Sequence, residues 1–191
     1  MPQFNSCLLA AISSLLLATL ACAQDTNAPR TRLEAFEGQT DILIVRGAAL
    51  VGDVHAGAGL VSVVAKESKV VASGLKEYGV AIGVTKAATA PEDSTVVDYD
   101  ELDSLISALD YVSGVNYSIT PLPSFDAGFT SRGGLRVFAY TSLRRPGTVQ
   151  AAVQGGHMAN ARLLLAPAQL AQFTTLIRQA KTQLDTLRAT R

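Results

Sequence analysis

The sequence has little cysteine, few aromatic residues and no charge bias. Cys7 and Cys22 are its only cysteines, so beyond residue 22 there is no thiol. That excludes a disulfide, a thiol nucleophile and any Cys-ligated zinc or iron–sulfur site in the remainder of the chain. Tryptophan is absent, and aromatic residues make up 6% of the whole. The 16 basic and 16 acidic side chains cancel, which argues against the basic excess of a bulk nucleic-acid binder and against a charged disordered tail. With 48% hydrophobic residues the chain is too apolar for disorder, and it is long enough to bury one sizeable core. No G-x-S-x-G, H-E-x-x-H or P-loop string occurs.

Charge is also missing from residues 1–23. Residues 7–23 are apolar apart from Ser13, Ser14 and Thr19, and they end in Ala21-Cys22-Ala23, a small-residue cleavage pattern. This reads as a secretory signal peptide cut after about Ala23, although no Lys or Arg precedes the apolar stretch. The expected product is a secreted or periplasmic protein with no transmembrane helix in its mature chain. Two alternatives stand. The stretch is at the short limit of a retained membrane anchor. Cys22 could instead carry lipid, although Leu20 lies one place closer to it than the usual lipoprotein pattern has.

Beyond the leader the residues carry structural signals. Residues 24–39 are taken as a flexible tether, with Pro29 inside a polar run. Strand signals occur at residues 41–46 (DILIVR), 59–66 (GLVSVVAK), 77–86 and 95–99. In the third of these, Tyr78, Val80, Ile82 and Val84 alternate with small or polar residues, as in a half-buried antiparallel strand. The period then changes: Leu102, Leu105, Ile106 and Leu109 fall at helical spacing, with Asp100 placed to cap and Ser113-Gly114 to stop the helix. The second part repeats the plan. Strands at 125–131 and 135–142 flank the turn Arg132-Gly133-Gly134, strands at 148–154 and 162–165 come next, and Pro167 opens a helix reaching about Leu187. The expectation is an α+β domain over residues 40–191, with antiparallel sheet, two amphipathic helices and a tandem ββββα order. Its halves would be 40–116 and 122–191, divided at Pro121-Leu122-Pro123.

This repeated order of four strands and a helix resembles the whirly and Pur-alpha type of single-stranded nucleic-acid-binding fold. The joint VDYDELDSLI at residues 97–106 looks like the strand-to-helix joint of such repeats. The chain is also similar to secreted bacterial proteins of uncharacterised function. The first resemblance implies a sheet face that contacts single strands, and Arg136, Phe138 and Tyr140, alternating along one strand, come nearest to such a face. A nucleic-acid surface would also need Arg132, Arg144 and Arg145 beside Arg136. Such families work inside cells, whereas this leader directs export, so nucleic acid is not the expected partner.

The candidate chemistry is sparse. His55 and His157 both sit among glycines, and Asp53 lies two residues from His55. A hydrolase reading would use His55 with Asp53, or His157, as a base; the alternative is that they are solvated loop histidines. Gly57-Ala58-Gly59 is followed by a strand rather than a helix, so a hairpin or bulge is expected there and not a dinucleotide loop. Glu92, Asp93, Asp98, Asp100, Glu101 and Asp103 form an acidic cluster without the glycine of a calcium loop, which favours capping over ion binding. No metal or cofactor is expected. In the last helix Phe173, Ile177, Leu184 and Leu187 form an apolar stripe. It could pack on the chain's own sheet, or overhang it and join a second subunit. Together these features point to a non-catalytic exported binding or assembly module, with a homo-oligomer through the last helix.

Overall fold

The computed structural model describes residues 28–87, 90, 92–142, 145–156 and 161–190, with backbone alone at 145–147. The proposed leader, Cys22, Arg144 and His157 lie outside the described residues. The elements are α1 (Arg32–Glu37), β1 (Ile44–Ala56), β2 (Gly59–Val70), β3 (Lys76–Thr85), β4 (Asp93–Asp98), α2 (Leu102–Gly114), β5 (Asp126–Thr130), β6 (Arg136–Ser142), β7 (Arg145–Gln154), β8 (Arg162–Leu165) and α3 (Pro167–Ala189). Strands β1–β4 and β5–β8 form two antiparallel four-stranded meanders. The fold is therefore α+β, in the tandem order that the hydrophobic periods indicate. Among the described residues no helix is long and apolar enough to cross a membrane.

Two segments differ from the sequence reading. The first strand does not end at Arg46 but runs on through the glycine-rich stretch to Ala56. Glycine and alanine have weak strand propensity. Here an unbroken partner, β2, holds them from Ile44 opposite Val70 to Ala56 opposite Gly59. The glycines of this stretch do make both a bulge, between Leu50 and Gly52, and a tight turn, where Gly57 has φ 61°.

The second difference is α1, which occupies part of the expected tether. Thr31 Oγ1 accepts the Glu34 N–H at 3.1 Å, and the Glu34 carboxylate accepts the Thr31 N–H at 3.2 Å. This reciprocal capping is legible in the sequence as Thr31-x-x-Glu34. The Asp98 carboxylate accepts the N–H groups of Arg32 and Leu33 at 2.8 and 3.0 Å, satisfying donors that the short helix leaves free. Leu33 is fully buried against Gly79, where a β-carbon would come within 3.0 Å of it.

The helices are exchanged between the halves. Helix α3, which comes after the second sheet, lies on β1 and β2 of the first sheet and against α2. Helix α2, which comes after the first sheet, lies on β5 and β6 of the second. One core results, joining Val61, Val63 and Ile82 of the first sheet, Val137 and Val153 of the second, Leu105 and Leu109 of α2, and Phe173, Ile177 and Leu184 of α3. Each sheet is covered by the other half's helix, so Pro121-Leu122-Pro123 joins two halves that share this core.

Candidate functional site

The first sheet has two edges, β1 and β4, and unpaired strand edges invite pairing with another chain. Edge β4 is covered. Gly133, in the β5–β6 turn, is buried so closely on it that a β-carbon would stand 2.1 Å from the Val96 carbonyl oxygen. Beyond β7, the Gly156 N–H donates to Thr95 Oγ1 at 2.8 Å. The far half of β1 is covered as well. Gln169 Nε2 donates to the His55 carbonyl at 2.7 Å, and Gln172 Nε2 to the Asp53 carbonyl at 3.1 Å. Both glutamines belong to the first turns of α3.

Residues 45–50 (VRGAAL) have no such cover and are all exposed, Leu50 to 63% and Val45 to 56%. The Leu43 carbonyl accepts the Val71 N–H. Antiparallel alternation then turns odd-numbered backbone groups toward β2, and those of Arg46, Ala48 and Leu50 outward. The bulge at Leu50/Gly52 reverses that parity, in keeping with the outward carbonyls of Asp53 and His55. On the α3 side of this edge lies an apolar groove of about 530 Å³, walled by Val45, Ala49 and Ala65 of the strands and by Thr186 and Leu187 of the helix. Ile42, Leu43, Val71 and Leu75 are exposed at the same end of the sheet.

The apolar stripe of α3 is split between two environments. Phe173, Ile177 and Leu184 are fully buried in the chain's own core; only Leu187, 44% exposed, reaches the groove. The helix end does not overhang. Arg178 pairs with Asp110 at 2.5 Å, Lys181 with Asp103 at 3.5 Å, and the Arg188 guanidinium lies 3.9 Å from the centre of the Tyr99 ring, whose hydroxyl donates to Asp185. The stripe thus packs on the chain's own sheet, the one formed by the first half, with Leu187 left at its end.

The other sequence candidates disperse. His55 sits on β1, exposed, with Asp53 on the same face, and no hydrogen bond joins their side chains among the described residues. The acidic cluster is taken up structurally. Asp98 caps α1, while Arg132 lies 3.5 Å from Asp98, 3.2 Å from Glu101 and in contact with Asp100. Among the described residues no three His, Cys, Asp or Glu side chains gather as for a metal ion. Arg132 and Arg136 are each engaged by carboxylates, Arg136 by Asp126 at 2.8 Å. The string Ser73-Gly74-Leu75-Lys76 has S-x-x-K spacing, but it forms the β2–β3 turn. There Ser73 Oγ accepts the Leu75 N–H, and Lys76 pairs with Glu67 at 3.1 Å. What sequence reasoning missed was the open edge, because Gly47, Ala48 and Ala49 carry only weak strand propensity. Compared with protein-family models, curated proteins and solved structures, the chain shows no match.

Proposed function

We propose that the protein is a non-catalytic assembly module, exported by its leader, that pairs with a second copy of itself through residues 45–50 of β1. The observation that carries this reading is the uncovered stretch of edge, in a sheet whose other edge and far half are covered by the chain's own groups. Its composition favours self-pairing. Arg46 is the only charge between Ile42 and Gly52, and Gly47, Ala48 and Ala49 allow close approach.

A two-fold axis at Ala48 sets Ala48 opposite its copy, Gly47 opposite Ala49, and Arg46 opposite Leu50. The outward groups of residues 46, 48 and 50 then meet as hydrogen-bonded pairs. This register keeps the two Arg46 positions about 14 Å apart along the strands, four residues at ~3.4 Å each, and beyond a Debye length of about 8 Å at physiological salt. Centring the axis on residue 46 would place the two guanidiniums face to face. In the resulting eight-stranded sheet the two apolar grooves meet across the axis, with Leu187 of each copy at their rims.

Sedimentation equilibrium tests the proposal. The protein is expected to be a dimer at micromolar concentration. Ala48→Pro, which removes an outward N–H that no internal bond uses, is expected to be a folded monomer. A monomeric wild type, or a variant with undiminished dimer, would refute the reading.

A further inference from the structure

The outer face of the second sheet carries a cluster that pairing through β1 does not use. Strand β6 presents Arg136, Phe138 and Tyr140 on one face. The pairing of Arg136 with Gln154, and of Gln154 with Arg162, brings Arg162 alongside. The Arg162 guanidinium lies 4.2 Å from the centre of the Tyr140 ring and 4.8 Å from that of Phe138, and Arg136 lies 4.4 Å over Phe138. Phe138 is buried beneath them, so it offers no open ring for a base to stack on. The chemistry this face exposes is guanidinium.

The two arginines differ in one respect. Asp126, opposite Tyr140 on β5, sets both carboxylate oxygens 2.8 Å from Arg136 Nη2. Among the described residues no carboxylate reaches Arg162, and its Nη2 is shut off from solvent without an acceptor. Arg162 borders an open cavity of about 470 Å³, with Ser124, Phe125, Tyr140 and Gln154 among its walls.

Each part of this arrangement bears on the ligand. A guanidinium stacked on rings loses little further freedom when it binds, and with Nη2 enclosed Arg162 meets an anion in the cavity through its other N–H groups. Among the described residues this face holds one arginine without a carboxylate, which matches a monoanion. The neighbouring Arg136–Asp126 pair shows that a carboxylate seats on this face. Phe125 and Tyr140 supply ring surface for a flat body in a lining that is otherwise largely polar, with Asp126 and Arg136 at the Phe125 side.

We propose that this cavity binds a small organic monocarboxylate, its carboxylate paired with Arg162 and its apolar body against Tyr140 and Phe125. The test is titration of the full-length protein, monitored by NMR of its arginine side chains and aromatic rings, with benzoate, benzamide and inorganic phosphate as probes. Benzoate is expected to give saturable millimolar shifts centred on Arg162 and Tyr140, and benzamide none. Arg162→Lys keeps the charge but loses the planar group held on Tyr140 and Phe138, and is expected to weaken benzoate about tenfold, the equivalent of ~1.4 kcal/mol. Arg162→Met is expected to abolish binding. Asp126→Asn, on an exposed residue, frees Arg136 and is expected to tighten benzoate severalfold. The absence of saturable benzoate shifts in the unmodified protein would overturn the proposal. So would equal binding of benzamide, or phosphate saturating at lower concentration than benzoate.

Discussion

Replacing Phe173 with alanine separates a core role for α3 from an interface role. Phe173 is fully buried, and the core around it joins both sheets to both long helices. Removing its ring deletes apolar contacts and leaves a cavity that strands fixed in two ladders cannot readily close. Buried Phe→Ala changes cost about 3–5 kcal/mol, against a total stability of about 5–15 kcal/mol. Leu187, nearly half exposed at the groove rim, has less to lose, and Leu187→Ala is expected to cost no more than about 1 kcal/mol. Urea unfolding monitored by circular dichroism reads both values. Measuring them in the Ala48→Pro background removes any contribution from pairing. Phe173→Ala is expected to lower the midpoint strongly with an unchanged slope, independently of protein concentration. A cost below about 1 kcal/mol, or one seen only where the protein dimerises, would refute the core assignment.

Other perturbations probe separate parts of the fold. Burial pushes the Glu37 carboxyl up, but the Ser68 hydroxyl at 2.7 Å and Lys66 at 2.9 Å outweigh it and hold its pKa below 4.5. The unfolded state therefore takes up the proton first. The stabilisation is present above pH 4.5 and lost as pH falls through the folded value, and Glu37→Gln should flatten that part of a stability–pH curve. Glu77 behaves oppositely: burial first, then the nearby Asp98 carboxylate, raise its pKa. Glu77→Gln should stabilise the protein at pH 7, with the gain disappearing as pH falls through the Glu77 pKa, and a loss at pH 7 would contradict this. Gly133→Ala forces a β-carbon onto the Val96 carbonyl, and overpacking of this kind costs about 1–3 kcal/mol. Hydrogen exchange should then quicken along β4, whose edge that turn covers.

Much of this architecture is legible in the residues themselves. The alternation from Tyr78 to Val84 and the helical spacing from Leu102 to Leu109 report the local period of the backbone, which short-range sterics and one buried face suffice to impose. Pro167 marks a helix start by its fixed φ, and Gly57 marks a turn by its freedom to take a positive φ. The exchange of helices between sheets left no such trace, since an apolar stripe records that a face is covered and not by what. For the same reason Phe173 and Leu187 look equivalent in sequence and differ in the fold. The uncovered part of β1 was hidden twice, by small residues of low strand propensity and by cover elsewhere that depends on Gln169, Gln172 and Gly133, all distant in the chain. The site at Arg162 was half visible: Arg136, Phe138 and Tyr140 alternate on one strand, but the arginine without a carboxylate comes from another.

The central claim is pairing of β1 about Ala48, and the charge at position 50 tests it most directly. In that register residue 50 faces Arg46 of the other copy. Leu50→Lys sets like charges opposite one another at both ends of the pairing, while Leu50→Glu sets opposite charges there. Sedimentation equilibrium of the two variants side by side should find a monomer for lysine and a dimer for glutamate, with the glutamate dimer weakening as salt is raised. Two variants of equal mass, or a dimer with lysine alone, would contradict the account.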